Sequence, residues 1–423
     1  MKGNPTIWEK AFAIALLLFS SHAMDILFFS RPVQFTGDGV VLSMQLAFYA
    51  VAGIIFLLHA ADVRQGIVRV PWLVVLVLFA LCSTVWSQDP GLTLRRSAVL
   101  AATLLYGIYF GSRFDLKSQI GVLAQISLIV LLLSAVVAIG LPQYGLDADN
   151  GGHWSGLFGQ RNPLARMSVL SFFVFLVWRP SWRPLRYLAV CIALAVLGMT
   201  HSATGVVVIV AILGLQQLFR IIRLAPTARV AVACFAIIIV GAIALSLAKD
   251  SSWWFGILGR DSTLSGRTDL WREVAAAIGK RPMLGYGFAA FWPVPLGAVG
   301  PILDQFDWAS HSHNGLLDLW LDLGLGGVLI FLIGYACTVR DAIVTYRSIA
   351  GIEGLWPLTY LAFMFLYNIT ESTTFVPNSA FLILYGAAAV STRYIRSSCE
   401  MPNDHPVSGT HAYPAPGNYC PLA

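Results

Sequence analysis

Long apolar runs constrain this chain more than any other feature of its sequence. Twelve stretches approach or exceed the roughly 20 residues that an α-helix needs to cross a bilayer. They lie at about 8–29, 38–61, 68–86, 95–112, 118–141, 163–178, 185–200, 202–219, 229–248, 314–338, 355–370 and 378–395. Because backbone groups in lipid must be hydrogen-bonded internally, such runs are expected to form helices. The sequence therefore predicts an all-α integral membrane protein with about 12 transmembrane helices.

The composition excludes several classes of protein. Of the 423 residues, 57% are hydrophobic and only 11% are charged, against about 25% charged residues in soluble domains. Soluble metabolic enzymes, DNA-binding modules and secreted disulfide scaffolds do not fit this balance, and no nucleic-acid partner is expected. The net charge of +6 identifies no ligand, since basic residues of membrane proteins first serve orientation at the lipid bilayer.

The basic residues predict which connections face the cytoplasm. With the N-terminus inside, 16 of the 27 Lys and Arg residues fall in cytoplasmic connections. Most of the others cluster near 95–96, near 161–166 and in the outward loop 249–313. That loop, between the ninth and tenth predicted helices, is long enough to form a lid or small subdomain. Because these outward Lys and Arg residues depart from the positive-inside pattern and lie in clusters, they suggest a functional site on the outer face.

These patterns divide the chain into a membrane domain and a tail. Residues 1–395 form the predicted polytopic membrane domain. In its loop 249–313, residues 268–280 have an amphipathic pattern with Leu270, Val274 and Ile278 on one face. Residues 396–423, rich in proline, are predicted to be a disordered cytoplasmic tail.

The clearest candidate site lies at the start of the tenth predicted helix. His311, His313 and Asn314 precede Asp318 and Asp322, which are spaced so that they share a helix face with Asn314. A histidine at the outer mouth of a bundle can accept a proton from a sugar hydroxyl, since histidine titrates near ambient pH. The alternative is that these residues only cap the helix and reach the membrane surface.

Arginine residues form two further candidate groups. In the large loop, Arg267 stands with Arg260 and Arg272, and guanidinium groups are suited to diphosphate oxygens. Arg161, Asn162 and Arg166 lie at the start of the sixth predicted helix. The alternatives are solvated surface charge for the first group and lipid headgroup binding for the second.

Glu371 is a carboxylate between the last two predicted helices. It is a candidate second acid/base or a salt-bridge partner for an arginine. The chain has no metal-ligand spacing and no phosphate-binding glycine loop with lysine. A donor used at the outer face is therefore expected to be linked to a lipid.

Several motifs together resemble the bacterial O-antigen ligase and Wzy-type polysaccharide polymerase superfamily. Residues 313–327 resemble its signature, a His-Asn pair followed by a Gly-Leu-Gly-Gly segment. Residues 265–271 and 282–287 resemble its large periplasmic loop. Three segments are closer to the exopolysaccharide-production, ExoQ-like branch: 86–96, 159–162 and 371–372.

The resemblance implies an inner-membrane glycosyltransferase of the GT-C type with a periplasmic active site. It implies an undecaprenyl-diphosphate-linked glycan donor, a glycan or lipid A-core acceptor, and neither metal nor nucleotide cofactor. Other polysaccharide export proteins are expected partners. In the family, an Arg and a His of the large loop serve the diphosphate and the transfer, and Arg267 and His313 occupy those places here. We expect Glu371 to assist them, with substrate binding by Arg161, Arg166, Asn162, Asn314, Arg272, Arg260 and His311.

Three functions remain open at this point. The leading one is polymerisation of lipid-linked oligosaccharide units into exopolysaccharide or O-antigen. Ligation of the glycan to lipid A-core is the second, although the ligase branch has an Arg where this chain reads Thr200-His201-Ser202. A polysaccharide or lipid transporter is the third, and it is disfavoured because mid-membrane positions carry almost no charge.

Overall fold

The structure is a computed structural model that describes residues 5–23, 50–148, 151–221, 267–373, 375–376 and 378–400. Its helices are α1 (Ile7–Ser20), α2 (Ala50–Leu58), α3 (Ala60–Arg69), α4 (Pro71–Cys82), α5 (Pro90–Arg113), α6 (Leu116–Gly140), α7 (Pro142–Gly145), α8 (Arg161–Val177), α9 (Arg183–Met199), α10 (Ala203–Ile221), α11 (Arg267–Lys280), α12 (Gly300–Leu303), α13 (Gly315–Ser348), α14 (Trp356–Thr370) and α15 (Ala380–Glu400). Strands β1 (Leu146–Asp147) and β2 (His153–Trp154) pair antiparallel.

Side chains with short-range hydrogen bonds determine where several helices begin. Asp89 and Asp115 cap α5 and α6, each accepting a backbone N–H three residues later at 2.9 Å. Pro90 occupies the first turn of α5, where its missing N–H costs nothing. For this reason α5 begins five residues before the predicted start at 95.

The apolar faces of these helices form one large core. One close contact in it joins α5 to α15, where a Cβ atom on Gly107 would lie 2.5 Å from the carbonyl oxygen of Ile383. Glycine at such a position lets two helix backbones approach closely, as is common between membrane helices.

The helices correspond to most of the predicted membrane spans. Eleven of the twelve predicted stretches contain a helix, and the twelfth, 229–248, lies outside the described residues. By length and composition, three described helices are able to cross a membrane: α6, α10 and α13. Helices α2 and α3, which meet at a bend of 91°, are long and apolar enough only as a pair, either as a broken fourth span or as a re-entrant loop. The membrane character is thus supported, while twelve crossings remain a prediction.

Helix α13 is interrupted where the sequence predicts a continuous span over 314–338. Gly324 has φ 63° and ψ −169°, which breaks the helix. The loop that follows α11 fills the break: Tyr286 and Gly287 donate their backbone N–H groups to the carbonyls of Leu321 and Asp322 at 2.8 and 3.0 Å. These bonds satisfy carbonyls that a regular helix would otherwise have paired internally.

The structure describes a helix in the predicted large loop and a longer last helix than predicted. Helix α11 covers the range predicted as amphipathic, and Leu270, Val274 and Ile278 are buried in a second, smaller apolar core with residues of 286–309. Helix α15 runs to Glu400, past the predicted domain end at 395, and its Arg396 pairs with buried Asp341 at 2.7 Å. Residues 401–423 lie outside the described part of the chain.

Candidate functional site

The ends of four helices converge on the carboxylate of Glu371, which follows α14. Its Oε1 accepts hydrogen bonds from Arg267 Nη2 at 2.9 Å and from Asn162 Nδ2 at 3.2 Å. Its Oε2 lies 3.2 Å from Nδ1 of His313. Asn162 and Arg267 belong to the first turns of α8 and α11, and His313 precedes α13. We call these four residues the Glu371 cluster.

The charge state of Glu371 follows from these contacts. The side chain is 13% exposed, and burial opposes its ionisation. The hydrogen bond and charge of His313, followed by the charges of Arg267 and His311, nevertheless lower the pKa of Glu371 to about 2. Glu371 is therefore a carboxylate at neutral pH and can only accept. Nδ1 of His313 must carry the proton, which leaves the lone pair on Nε2.

The backbone of His313 has an uncommon conformation. Its φ is 54°, a left-handed value that costs on the order of 1–3 kcal/mol for a residue other than glycine. Its N–H donates to Nδ1 of His311 at 3.0 Å, and the hydroxyl of Ser312 bonds to both the N–H and the carbonyl of Asn314. Local bonds on both sides thus hold the imidazole in this turn.

His311 and Asn314 support this turn. The ring centroids of His311 and His313 are 4.0 Å apart. Burial, and then the charge of His313, lower the pKa of His311 to about 4, so His311 is neutral at pH 7. Asn314 caps α13 by accepting from the N–H groups of Leu316 and Leu317. The structure gives both residues a supporting position, and substrate contact by either remains a prediction.

Arg267 joins two neighbouring acceptors at the end of α14. Nη1 donates to the carbonyl of Thr370 and Nη2 donates to Glu371. A guanidinium has five N–H groups, so these contacts leave donors for an anion. Arg272 is not in the cluster: its side chain is 75% exposed and pairs with Asp269 at 3.0 Å. Arg260 lies outside the described residues.

Arg166 and Arg161 lie near the cluster on α8. The side chain of Arg166 is half-buried, its guanidinium lies 4.9 Å from the ring centroid of Phe381, and it interacts electrostatically with Glu371. Its Nε has no hydrogen-bond partner in the described part of the chain. Arg161 is half-buried, and its backbone N–H donates to Asp147 at 3.0 Å. A partly buried guanidinium that bonds no carboxylate among the described residues is suited to an anionic ligand.

His201, at the junction of α9 and α10, lies close to His153. The ring of His201 stacks on that of His153, with centroids 4.3 Å apart. The contact joins the junction of α9 and α10 to the hairpin that precedes α8. The sequence did not predict this pair, because the two residues are distant along the chain.

Two members of the cluster and the neighbouring His311 carry atoms that could bind a metal ion. One ligand atom from each of His311, His313 and Glu371 lie within 4.8 Å of one another. Both Nδ1 atoms already take part in hydrogen bonds, and Arg267 places a permanent positive charge 2.9 Å from Glu371. A cation would have to displace these contacts, so the arrangement is better suited to an anion beside Arg267.

The segment 86–90 supports the outer loop. The side chain of Gln88 donates to the carbonyl of Ala290 at 2.7 Å and accepts from the N–H of Ala298 at 3.3 Å. Trp86 donates to the carbonyl of Leu284 at 2.8 Å. These bonds hold the loop that fills the break in α13. The resemblance of this motif to the ExoQ-like branch does not predict these contacts.

Part of this helical membrane protein matches the model of a known family. The family model described as O-Antigen ligase matches residues 188–332. That range contains Arg267 and His313, whereas Asn162 and Glu371 lie outside it.

The chain is also similar to a protein of exopolysaccharide production. The chain is 26% identical over 273 residues to the exopolysaccharide production protein ExoQ of Rhizobium meliloti (strain 1021), a match that covers 61% of this chain and 62% of the relative. The chain therefore aligns with less than two thirds of that protein's length. The predicted resemblance to the O-antigen ligase family and its ExoQ-like branch is confirmed.

Proposed function

We propose that this protein is a membrane glycosyltransferase that polymerises lipid-diphosphate-linked oligosaccharide units at the periplasmic face of the inner membrane. The donor is an undecaprenyl-diphosphate-linked glycan and the acceptor is the end of another glycan. The observation that carries the proposal is the pairing of ionised Glu371 with Nδ1 of His313. This pairing makes Nε2 the basic nitrogen in a cluster that also presents Arg267.

The cluster supplies the groups that such a transfer needs. Nε2 of His313 takes the proton of the acceptor hydroxyl as its oxygen attacks the anomeric carbon of the donor. The bond from that carbon to the diphosphate oxygen breaks, and the lipid diphosphate leaves with the electron pair. Arg267 and Arg166 stabilise the charge that develops on the leaving group. Glu371 stabilises the imidazolium of His313, which then releases its proton to solvent.

The similar proteins and the segment around His201 bear on the choice between polymerase and ligase. The ExoQ relative and the motifs of the ExoQ-like branch favour polymerisation. The family model described as O-Antigen ligase favours the second candidate, transfer of the glycan to lipid A-core. The ligase branch has an Arg in the segment where this chain reads Thr200-His201-Ser202, and in this chain the ring of His201 stacks on that of His153. We therefore place polymerase first.

The experiment is a transfer assay with purified protein in detergent. A synthetic lipid-diphosphate-linked repeat unit is the substrate, and chain growth is followed by gel electrophoresis between about pH 5 and pH 9. Wild-type protein should lose activity on the acid side, because a protonated Nε2 cannot accept the hydroxyl proton. His313→Gln should lower the rate about 10²- to 10⁴-fold, as general-base catalysis contributes this much, and its residual rate should lack the acid limb.

A second histidine at the same end provides the control. His153→Gln removes an imidazole that makes no described contact with Glu371, and it should keep the wild-type pH profile. Wild-type rates and pH dependence in His313→Gln would remove His313 from the mechanism. Product on a lipid A-core acceptor, without polymer, would establish the ligase instead. Movement of the lipid-linked unit across a proteoliposome membrane without chain growth would establish a transporter.

A further inference from the structure

We propose that Asp318 is a positioning residue that holds His313 and Glu371 at their working separation. The inference rests on the proposed function, because it concerns the geometry of the proposed general base. Asp318 lies in α13, one turn after its start, and is half-buried. It makes no described contact with His313 or Glu371 themselves.

The contacts of Asp318 reach the residues that flank the pair. Its Oδ1 accepts the backbone N–H of Ser312 at 3.0 Å, and Ser312 directly precedes His313. Its Oδ2 accepts the hydroxyl of Ser372, which directly follows Glu371. A third donor, Nε1 of Trp292 in the outer loop, bonds to Oδ1 at 2.9 Å. One carboxylate thus joins three separate segments beside the site.

This arrangement fixes the pair from both sides. His313 and Glu371 are 58 residues apart in sequence, so no local backbone geometry sets the distance between them. Trp271 of α11 holds the same turn from the other direction, since its Nε1 donates to the carbonyl of Ser312 at 2.8 Å. Displacing catalytic groups by about 1 Å can lower a rate about 10²-fold. A residue that prevents such displacement therefore acts on the rate of transfer.

Two substitutions distinguish the effect of the hydrogen bonds of Asp318 from the effect of its side-chain volume. Asp318→Asn keeps Oδ1 for the donors of Ser312 and Trp292, and its amide can donate to the hydroxyl of Ser372. Asp318→Leu has similar bulk and accepts no hydrogen bond. A positioning role predicts near wild-type transfer for Asp318→Asn. It predicts that Asp318→Leu lowers kcat about 10²-fold and leaves KM within about threefold.

Ser372→Ala tests the connection to Glu371 alone. It removes the hydroxyl that donates to Oδ2 and should lower kcat by a smaller factor than Asp318→Leu. In the Asp318→Leu background it should cause no further loss, because the bond is already absent. Asp269→Leu is the matched control: it removes an acidic residue of α11 that pairs with exposed Arg272, and it should leave kcat unchanged.

The chemical reactivity of His313 provides a second measurement, which does not depend on glycan transfer. Diethyl pyrocarbonate modifies unprotonated imidazole nitrogen, and mass spectrometry gives the modification rate of each histidine in the full chain. His313 should be modified several-fold faster in Asp318→Leu and Ser372→Ala than in the wild type or Asp318→Asn. If the wild-type protein transferred no glycan, the proposed function would fail, while this measurement would still test Asp318.

The outcomes decide the inference in either direction. A loss of kcat with faster modification of His313, and recovery of both in Asp318→Asn, supports positioning. Wild-type kcat and modification rates in Asp318→Leu overturn it. An equal loss in Asp318→Leu and Asp318→Asn also overturns it, since the hydrogen bonds would then not be the cause. If Asp318→Leu does not fold, Ser372→Ala with wild-type kcat and modification rates overturns it.

Discussion

Glu371 accepts from an arginine, an asparagine and a histidine, so its role differs from that of an acid/base. A carboxylate with a pKa of about 2 holds no proton at neutral pH to donate. It is also a weak base, which disfavours it as the group that deprotonates a sugar hydroxyl. Of the two roles that the sequence left open, the contacts favour the salt-bridge partner. Its contribution to transfer is then to orient His313 and to stabilise the imidazolium.

The low pKa of Glu371 predicts a pH dependence of stability. A glutamate has a usual pKa of 4.5, and the folded protein lowers that of Glu371 to about 2. Its ionised form therefore stabilises the fold above about pH 4.5, and this contribution is lost as the pH falls toward 2. The measurement is the melting temperature of purified protein in detergent between about pH 3 and pH 7.

Glu371→Gln should flatten this acid dependence, because it removes the titrating group. Asp269→Asn is the control, since its carboxylate is 53% exposed and pairs with an exposed arginine. An unchanged acid slope in Glu371→Gln would show that Glu371 does not carry the effect.

Arg267 is predicted to need its guanidinium and not only a positive charge. Its two terminal nitrogens reach two separate acceptors, Thr370 and Glu371, and a lysine ammonium cannot span both in this planar geometry. Arg267→Lys should retain expression and lower the rate of glycan transfer about 10²-fold, as for loss of one donor to a developing anion. The assay is extension of the lipid-linked repeat unit. Arg272→Lys, on the same helix, should keep the wild-type rate.

At the scale of elements, the break in α13 depends on Gly324. A Cβ atom at this position would lie 2.2 Å from the backbone of Met283, and the positive φ disfavours other residues. Gly324→Ala should therefore destabilise the fold by about 1–3 kcal/mol or more and weaken the docking of residues 282–287. Thermal unfolding in detergent measures this loss. Gly121→Ala in α6, where the added Cβ would meet no atom of the described residues within 4 Å, should keep the wild-type melting temperature.

The sequence predicts helices well where the signal is local. The apolar run of α6 is bounded by a capping aspartate, and its predicted range of 118–141 differs from Leu116–Gly140 by one or two residues. The break at Gly324 was not predicted, because the apolar pattern continues through it. Its cause is a loop some 40 residues earlier that supplies donors to Leu321 and Asp322. Such a long-range contact leaves no trace in local periodicity.

In the candidate site too, the sequence identifies individual residues but not the long-range contacts between them. His313, Arg267, Glu371 and Asn162 were each identified as candidates, and the structure brings them together. Their pairing was not predictable, since 209 residues separate Asn162 from Glu371. Asp318 was noted for its helix face, but no function was assigned to it because its three partners come from distant segments.

At the scale of the whole molecule, charged contacts gather at two ends of the bundle. Glu371 follows α14 and Glu353 precedes it, so these residues mark opposite ends of that helix. The Glu371 cluster occupies one end. At the other, Glu353 pairs with Lys117 at 3.4 Å. Buried Asp341 on α13 pairs with Arg393 and Arg396. The Glu371 cluster, predicted to be outside, therefore lies at the opposite end of α14 from Lys117, which is predicted to be inside.

The end of the bundle that carries the Glu371 cluster is predicted to face the periplasm. This prediction rests on the basic residues, 16 of 27 of which fall in the predicted cytoplasmic connections. Arg272 and Lys117 are a matched pair, each with a side chain 75% exposed, and each is replaced by cysteine in a chain whose six native cysteines are changed to serine. A membrane-impermeant maleimide applied to intact cells with a permeabilised outer membrane should label Arg272→Cys and leave Lys117→Cys unlabelled until the inner membrane is opened. Because the reagent cannot cross the lipid, the reverse pattern would place the cluster in the cytoplasm, where a periplasmic polymerase could not use it.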